Sequence, residues 1–243
     1  MKIKYFIFSL LVLIFIGSAY ADHRAVIARK NAVTCDDCSG DLKFSWHCED
    51  LDVTNDSPCG CSDGDETGAV AGSASISGTQ YYDGDESLCC PSNSDDVTFT
   101  VSSDDLVNDA EGKLAFRIYI DTFNNQDTVF KAAKDADNEL SVKMQGDSSN
   151  IDFVFRYEYA TTVVYATADS DRGEDAWMYV EIVWKEQAGN DMQIKVCDSD
   201  GTSNCTTQIE DNDFSACGNV TSARFGHGDV YMDKIEIYGT SGL

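Results

Sequence analysis

Apolar and polar residues alternate with a period of two along most of this chain. A period of two places every second side chain on the same side of an extended backbone, so it predicts β-strands with one buried face. Clusters of Gly, Asp, Asn and Ser separate these segments and predict turns between the strands. Alternation of this kind covers residues 42–46, 97–101, 114–120, 151–159, 192–196 and 230–238.

Three further segments depart from this alternation. Residues 177–184 are apolar on both faces except at Glu181, which predicts a central strand that is covered on both sides. Residues 161–168 are short and rich in β-branched side chains, as strands are. Residues 129–137 contain an Ala-Ala pair, which favours helix, but their position between strand-like runs favours a strand followed by a turn. The whole pattern predicts an all-β sandwich in a single domain.

The last alternating segment contains one residue that does not suit a buried face. Alternation places Asp233 on one face with three apolar or aromatic side chains, those of Tyr231, Ile235 and Ile237. An uncompensated carboxylate on such a face costs several kcal/mol. A hard cation would neutralise it, so we expect Asp233 to bind a structural calcium ion. The alternatives are a pairing with Lys or Arg, or a position at a frayed strand edge.

The N-terminus has the features of a secretory signal peptide. Two lysines precede an apolar run over residues 5–16, and a small-x-small cleavage site ends at Ala21. The run is too short to span a bilayer comfortably. We therefore expect residues 1–21 to be a signal peptide that is cleaved after Ala21, which leaves a secreted, extracellular chain without membrane insertion. An uncleaved anchor is the alternative.

Acidic residues far outnumber basic ones. The chain has 17 Lys and Arg against 43 Asp and Glu, which gives a formal net charge of −26. Nucleic acids and anionic membranes are bound by clustered Lys and Arg, so this charge argues against both as partners. The excess of carboxylates is consistent with solubility outside the cell and with the binding of divalent cations.

Ten cysteines in an exported chain predict structural disulfides. Cys197 and Cys205 flank a turn sequence, which predicts a local bridge between them. Seven cysteines precede residue 91 and three follow residue 196, so complete pairing requires at least one disulfide between the two regions. A zinc or redox site at the C-x-x-C pair is a less favoured alternative. The cysteines are Cys35, Cys38, Cys48, Cys59, Cys61, Cys89, Cys90, Cys197, Cys205 and Cys217.

Five segments carry a resemblance to a known family. Their sequences are FSWHCED, GKLAFRI, AWMYVEIVW, MQIKVC and RFG followed by VYMDKI, at residues 44–50, 112–118, 176–184, 192–197 and 224–235. In this order they resemble the strands of laminin-G-like domains in the concanavalin A-like lectin/glucanase superfamily. The resemblance implies a jelly roll of two antiparallel sheets over residues 42–243, with a cysteine-rich insertion around residues 48–90. Residues 22–41 would form an N-terminal extension that contains cysteines.

The resemblance also implies a calcium site and a ligand-binding sheet. Many members hold a structural calcium between the closing-strand aspartate, here Asp233, and a group near the first strand, here Glu49 or its neighbouring backbone. Saccharide sites on sheets combine aromatic platforms with polar side chains. The candidates for such a face are Arg117, Tyr119, Arg156, Glu158 and Trp184, with Tyr165 nearby in sequence. The arginines would suit an anionic sugar, or they would form cross-strand ion pairs with Asp152 or Glu158.

The sequence offers little support for catalysis. It lacks the Glu-x-Asp-x-x-Glu cluster of glycoside hydrolases on this fold and the Gly-x-Ser-x-Gly motif of serine hydrolases. A lyase based on His227 and Tyr231 is conceivable only by analogy. We therefore expect a secreted, non-catalytic carbohydrate-binding or adhesion module whose partner is an extracellular glycan or glycoprotein. The alternatives are a structural or protein-interaction protein and, less favoured, a polysaccharide-degrading enzyme.

Overall fold

The computed structural model describes residues 42–46, 48, 67–100, 110–160, 162–185, 192–210 and 220–239. These residues form thirteen β-strands, and every strand pairing is antiparallel. The strands are β1 (Leu42–Trp46), β2 (Thr67–Ala71), β3 (Ser75–Ser77), β4 (Ser87–Thr100), β5 (Glu111–Thr122), β6 (Thr128–Asp135), β7 (Asn138–Asp147), β8 (Asn150–Tyr159), β9 (Thr162–Ala168), β10 (Trp177–Lys185), β11 (Met192–Asp198), β12 (Thr206–Glu210) and β13 (Ser222–Tyr238).

Two long strands, β4 and β13, run through both layers of the sandwich. The first sheet has the order β9-β8-β7-β6 and continues through residues 222–226 of β13 to the end of β4 and to β2. The second sheet has the order β12-β11-β10-β5 and continues through residues 229–238 of β13 to β1 and to the start of β4, which pairs with β3. The prediction of a two-sheet antiparallel jelly-roll sandwich is confirmed.

The change of sheet along β13 occurs at Gly226-His227-Gly228. The backbone φ angles of Gly226 and His227 are +95° and +76°, and the register between β13 and β4 shifts at this point. A Cβ atom on Gly226 would overlap the sulfur of Cys90, so this position requires glycine. The irregularity therefore turns β13 from one sheet into the other.

The core lies between the two sheets, where the apolar faces of the strands meet. Strand β9 packs against β11 and β12, and β8 packs against β11. The rings of Phe155 on β8 and Trp184 on β10 are 6.2 Å apart across this interface. Near β1, the ring of Phe44 lies 5.3 Å from that of Phe99 and 5.7 Å from that of Phe225. All five of these side chains are almost completely buried.

The secondary structure agrees with the alternation in most segments. Residues 129–137, where an Ala-Ala pair favours helix, lie mainly in strand β6, as predicted from their context. Residues 177–184 lie in β10, which is a central strand between β5 and β11. Among the described residues, no helix is long and apolar enough to cross a membrane.

The prediction that Asp233 shares a face with Ile235 and Ile237 on the last strand is wrong. Lys234 has a φ of +47°, and the register of β13 against β5 shifts between Asp233 and Glu236. This bulge adds one residue to β13, so the side chains after it change sides. Ile235 and Ile237 therefore face the core, whereas Asp233 shares the outer side with its cross-strand neighbour Arg117.

One predicted disulfide is present among the described residues. Cys197 and Cys205 are bonded, with their Cα atoms 4.1 Å apart, as the turn between them predicts. Cys89 and Cys90, in contrast, carry free thiols, contrary to the prediction that both are paired. As neighbours on β4 they point to opposite sides, so Cys90 is buried beside Gly226 while Cys89 is partly exposed. Cys48 is buried in the core.

Several predictions concern residues outside the described ranges. These are the signal peptide, the extension over residues 22–41, residues 49–66 of the cysteine-rich insertion with Glu49 among them, and any disulfide between the early and late cysteines that involves Cys35, Cys38, Cys59, Cys61 or Cys217. They stay predictions.

Candidate functional site

The five predicted ligand-binding residues do not share one face. Arg117 and Tyr119 lie on β5, on the outer side of the second sheet, whereas Arg156 and Glu158 lie on β8, on the outer side of the first sheet. Trp184 has no exposed surface and packs in the core between them. The prediction of a single face is therefore wrong, because alternation assigns side chains to a side of each strand but does not say which strands belong to the same sheet.

The position of Trp184 follows from its strand. On β10 the core-facing residues include Met178, Val180 and Ile182, and Trp184 continues this series. Its ring fills the space beside Gly112 on β5, where a Cβ atom would collide with it. Because β10 is apolar on both faces, the sequence alone did not distinguish its inner from its outer side.

Four ionic side chains form a connected network on the outer face of the first sheet. Glu139 accepts ion-pair contacts from both Lys131 and Arg156, and Arg156 also pairs with Glu158. Glu139 is only 6% exposed, and its partners on both sides neutralise it. The predicted alternative, an ion pair of Arg156 with Glu158, is present, but it runs along β8. The cross-strand partner of Arg156 is Glu139 on β7. The network holds the Arg156 guanidinium in a fixed position.

A shallow groove of about 270 Å³ lies beside this network. Tyr165 on edge strand β9 stands opposite Arg156 and is 62% exposed, and Val163 is 39% exposed. Lys143 also lines the groove and forms no ion pair with any described residue. The lining residues are Gln126, Lys143, Gln145, Val154, Arg156, Val163 and Tyr165.

The groove combines an accessible aromatic ring with amide and cationic hydrogen-bond donors. Such a ring gives a flat apolar surface on which the C–H face of a sugar can stack, while polar side chains bind its hydroxyl groups. Sequence reasoning named Arg156 and mentioned Tyr165 but missed Lys143 and Gln145. Lys143 and Gln145 lie two residues apart on β7, so their side chains point to the same side of the strand. Period-two alternation could therefore have placed them on one face.

Arg117, on the second sheet, is engaged by its surroundings. Its Nε donates a hydrogen bond to the carbonyl oxygen of Ser199 at 2.6 Å. Its guanidinium lies 4.2 Å from the ring centre of Tyr179 and 4.8 Å from that of Tyr82. Burial raises the pKa of Tyr179 above its ordinary value, and its hydrogen bond to Glu181 makes the second-largest contribution. Arg117 therefore joins the loop after β11 to the sheet and is a poor candidate for binding a ligand.

Tyr119 is buried within an aromatic cluster on the same face. Its hydroxyl donates a hydrogen bond to Asp175 at 3.2 Å. Its ring centre lies 5.8 Å from that of Trp177 and 6.0 Å from that of Tyr231. Burial raises the pKa of Tyr119, and its hydrogen bond to Asp175 adds to the shift. Only 9% of Tyr119 is exposed, so any ligand of this face would contact mainly its neighbours.

The carboxylate of Asp233 is fully buried, as predicted, and is bound by backbone amides. The amide nitrogens of Tyr82 and Asp83 donate to its Oδ2 at 3.0 and 2.9 Å, and the amide of Lys234 donates to its Oδ1 at 2.7 Å. Such donors stabilise an ionised carboxylate without a metal. Among the described residues, no group of three or more His, Cys, Asp and Glu side chains is arranged to hold a metal ion. Calcium at Asp233 stays a prediction.

His227 lies at the turn of β13 between the sheets. Its pKa is lowered by burial and by the nearby Arg224, and this is opposed by Asp127 and Asp96. Tyr231 is the residue that would act with His227 in a lyase. Its ring packs against that of Tyr119. Burial raises the pKa of Tyr231 to about 12, with a further contribution from its hydrogen bond to Cys89.

No protein-family model matches the sequence, and no curated protein matches it. Among solved structures, the chain is similar to the botulinum neurotoxin serotype D binding domain, with a TM-score of 0.54 and 10% identity over 83% of this chain and 49% of that one. The binding domain of botulinum neurotoxin DC in complex with SialylT gives a TM-score of 0.54 and 10% identity, over 83% and 48%. This chain spans about half the length of these neurotoxin domains.

A third similar structure is domain 4 of AbnA, a GH43 extracellular arabinanase from Geobacillus stearothermophilus, in complex with arabinotriose. Its TM-score is 0.53 and its identity 12%, over 81% of this chain and 91% of that one. At such low identities the similarity is one of fold. The chain thus has the β-sandwich fold that these binding domains and the arabinanase domain have.

Proposed function

We propose that this protein is a non-catalytic glycan-binding module whose ligand lies in the groove on the outer face of the first sheet. The observation that carries the proposal is the exposed ring of Tyr165 beside the fixed guanidinium of Arg156 and the ammonium group of Lys143, which pairs with no acidic side chain in the described ranges. The fold adds support, because the similar structures include one in complex with arabinotriose and one in complex with SialylT.

The charges of the groove decide what it can bind. Arg156 is already neutralised by Glu139 and Glu158, so its remaining role is to orient a ligand rather than to attract a strong anion. Lys143 contributes one positive charge that has no partner among the described residues. A saccharide with many hydroxyl groups, neutral or with a single acidic group, suits this combination better than a densely sulfated chain.

The proposal includes export of the chain and a structural calcium. Export is supported by the signal-peptide pattern at residues 1–21, together with the observed disulfide between Cys197 and Cys205. N-terminal sequencing of the secreted protein tests the cleavage after Ala21. A first residue other than Asp22 would contradict it.

A glycan array followed by calorimetric titration tests the binding site. We expect Tyr165→Ala to weaken binding at least tenfold, because loss of the stacking surface removes about 1.4 kcal/mol or more. Tyr81→Ala is the matched control, since Tyr81 is a comparably exposed tyrosine at 46% and does not line the groove. The array should include arabino-oligosaccharides and sialylated glycans.

Two outcomes would contradict the proposal. The first is a blank array in the presence of calcium. The second is equal affinity of the Tyr165→Ala variant and the Tyr81→Ala control, which would move the binding site away from the groove.

A further inference from the structure

Three aromatic side chains form one row across the outer face of the second sheet. Trp177 on β10 stands opposite Tyr119 on β5, and Tyr119 stands opposite Tyr231 on β13. The ring planes of successive members are inclined by 55° and 77°. Trp177 and Tyr231 are partly exposed. Because the rings are tilted, the row offers ring faces and edges rather than a flat platform for a sugar.

Carboxylates lie beside this aromatic row. Asp175 accepts the hydroxyl hydrogen bond of Tyr119, and its backbone amide donates to Ile120 at 3.0 Å, so it lies along the end of β5. Asp121 follows Tyr119 by two residues on β5, and Asp229 precedes Tyr231 by two residues on β13, so alternation places both carboxylates on the face of the row. Both contribute, after burial and Cys89, to the raised pKa of Tyr231. None of the three aspartates forms an ion pair with a described Lys or Arg.

Neighbouring rings on the same face already bind cations of the protein itself. Tyr179 has the guanidinium of Arg117 at 4.2 Å and the ammonium group of Lys195 at 5.5 Å from its ring centre. Tyr82 has Arg117 at 4.8 Å and Lys234 at 5.8 Å. Cations over aromatic faces gain about 0.5 to 2 kcal/mol. In the described part of the chain, no such cation lies over the aromatic row.

We propose that the aromatic row and its aspartates bind a lysine- or arginine-rich segment of a partner protein. The rings supply cation–π contacts, the aspartates supply opposite charge, and the net charge of −26 attracts a basic partner over a longer range. The row extends over three strands, which is more than a single ammonium group requires. The site is on the opposite side of the sandwich from the proposed glycan groove and is independent of it.

Titration with hexalysine and hexaarginine peptides tests the proposal. The experiment uses the intact protein at about 150 mM salt, where charges more than ~8 Å apart are screened. Trp177 reports binding by fluorescence, because the other tryptophans, Trp46 and Trp184, are 7% and 0% exposed. We expect a saturable change in fluorescence, and no change with a hexapeptide of acetylated lysine.

Charge-removing variants locate the binding site. Asp121→Asn combined with Asp229→Asn should weaken the affinity for hexalysine at least tenfold, whereas the control Asp137→Asn, in an exposed turn of the first sheet, should leave it unchanged. Should the double variant melt at a lower temperature, the single variant at exposed Asp121 replaces it. Tyr165→Ala should also leave peptide binding unchanged, which separates this proposal from the glycan site.

Three results would overturn the inference. One is the absence of saturable binding by either peptide. Another is equal weakening by Asp137→Asn, which would indicate attraction by net charge alone. The third is equal binding of the acetylated peptide, since it carries no cationic side chains.

Discussion

At the scale of single residues, the ionised side chain of Asp127 destabilises the folded protein. It lies just before β6 and is 8% exposed, and its Oδ2 has no hydrogen-bond partner among the described residues. Burial raises the pKa of Asp127, with partial compensation from His227. A buried carboxylate that binds protons more readily in the folded state than in the unfolded state lowers stability at neutral pH.

Replacement of this carboxylate by a neutral isostere should therefore stabilise the protein. We expect Asp127→Asn to increase the free energy of unfolding by about 1 kcal/mol near pH 7. Because the folded-state pKa is raised above the ordinary value of 3.8, the advantage should shrink as pH falls through the folded-state pKa and vanish below that ordinary value. Urea unfolding of both proteins at several pH values measures it.

Asp147→Asn provides a control of opposite sign. The pKa of Asp147 is lowered by hydrogen bonds from the side chain and the amide of Ser149, so its charge is favourable in the folded state. This control should destabilise the protein at neutral pH and lose its effect in acid. A loss of stability in Asp127→Asn near pH 7 would show that the carboxylate has a stabilising partner.

At the scale of elements, β13 determines the architecture through two local irregularities. The turn at Gly226 takes the strand from one sheet to the other, and the bulge at Lys234 returns Ile235 and Ile237 to the core. Both depend on backbone conformations with positive φ, which cost a non-glycine residue about 1 kcal/mol or more. A side chain at Gly226 would therefore carry this backbone cost in addition to the overlap with the Cys90 sulfur.

Substitution at the turn should be strongly destabilising. We expect Gly226→Ala to lower the free energy of unfolding by about 3 kcal/mol, because the new methyl group overlaps the Cys90 sulfur and the φ of +95° is unfavourable for alanine. Combining it with Cys90→Ala should recover the steric part of this loss. Denaturant unfolding of both single variants and of the double variant measures the coupling.

Gly78→Ala is a suitable control for this experiment. Its Cβ atom would lie 3.3 Å from the nearest backbone oxygen, that of Asp85, and its φ is not in the positive range. We expect its effect to be about 1 kcal/mol or less. An equal effect of the two glycine substitutions would contradict the role assigned to the turn.

The sequence predicted the elements better than their mutual arrangement. Alternation identified strands in both sheets but missed the short strands β2, β3 and β12. The turn sequence after Cys197 identified its disulfide, because that signal is local. The bulge at Lys234 accompanies tertiary hydrogen bonds from the amides of residues 82–83 to Asp233, and no local sequence pattern records such contacts. The separation of Arg117 from Arg156 depends on the order of strands in the sheets, and it likewise required the structure.

At the scale of the whole molecule, electrostatic repulsion opposes folding. With a net charge of −26, any added cation should stabilise the protein somewhat by screening. A test of the predicted structural calcium must separate this general effect from binding at one site. The amides that bind Asp233 complicate the test further, because substitution of Asp233 also removes their charge-assisted hydrogen bonds.

The increase in melting temperature that calcium produces separates specific binding from general screening. If calcium binds Asp233, the melting temperature should rise more with calcium than with magnesium at the same ionic strength, by mass action on the folded state. The rise should disappear in Asp233→Asn, whatever the starting stability of that variant. Differential scanning calorimetry with EDTA as the reference measures each increment. Equal increments for the two cations would reject a specific calcium site.

The passage of β4 and β13 through both layers also determines how the sandwich resists a mechanical load. Along most of its length, β13 is hydrogen-bonded to a neighbouring strand on each side. Tension applied along β13 therefore acts on many main-chain hydrogen bonds in shear at once, instead of opening them one after another. Separating the two layers therefore also requires β4 and β13 to unbend or to lose their hydrogen bonds in one layer.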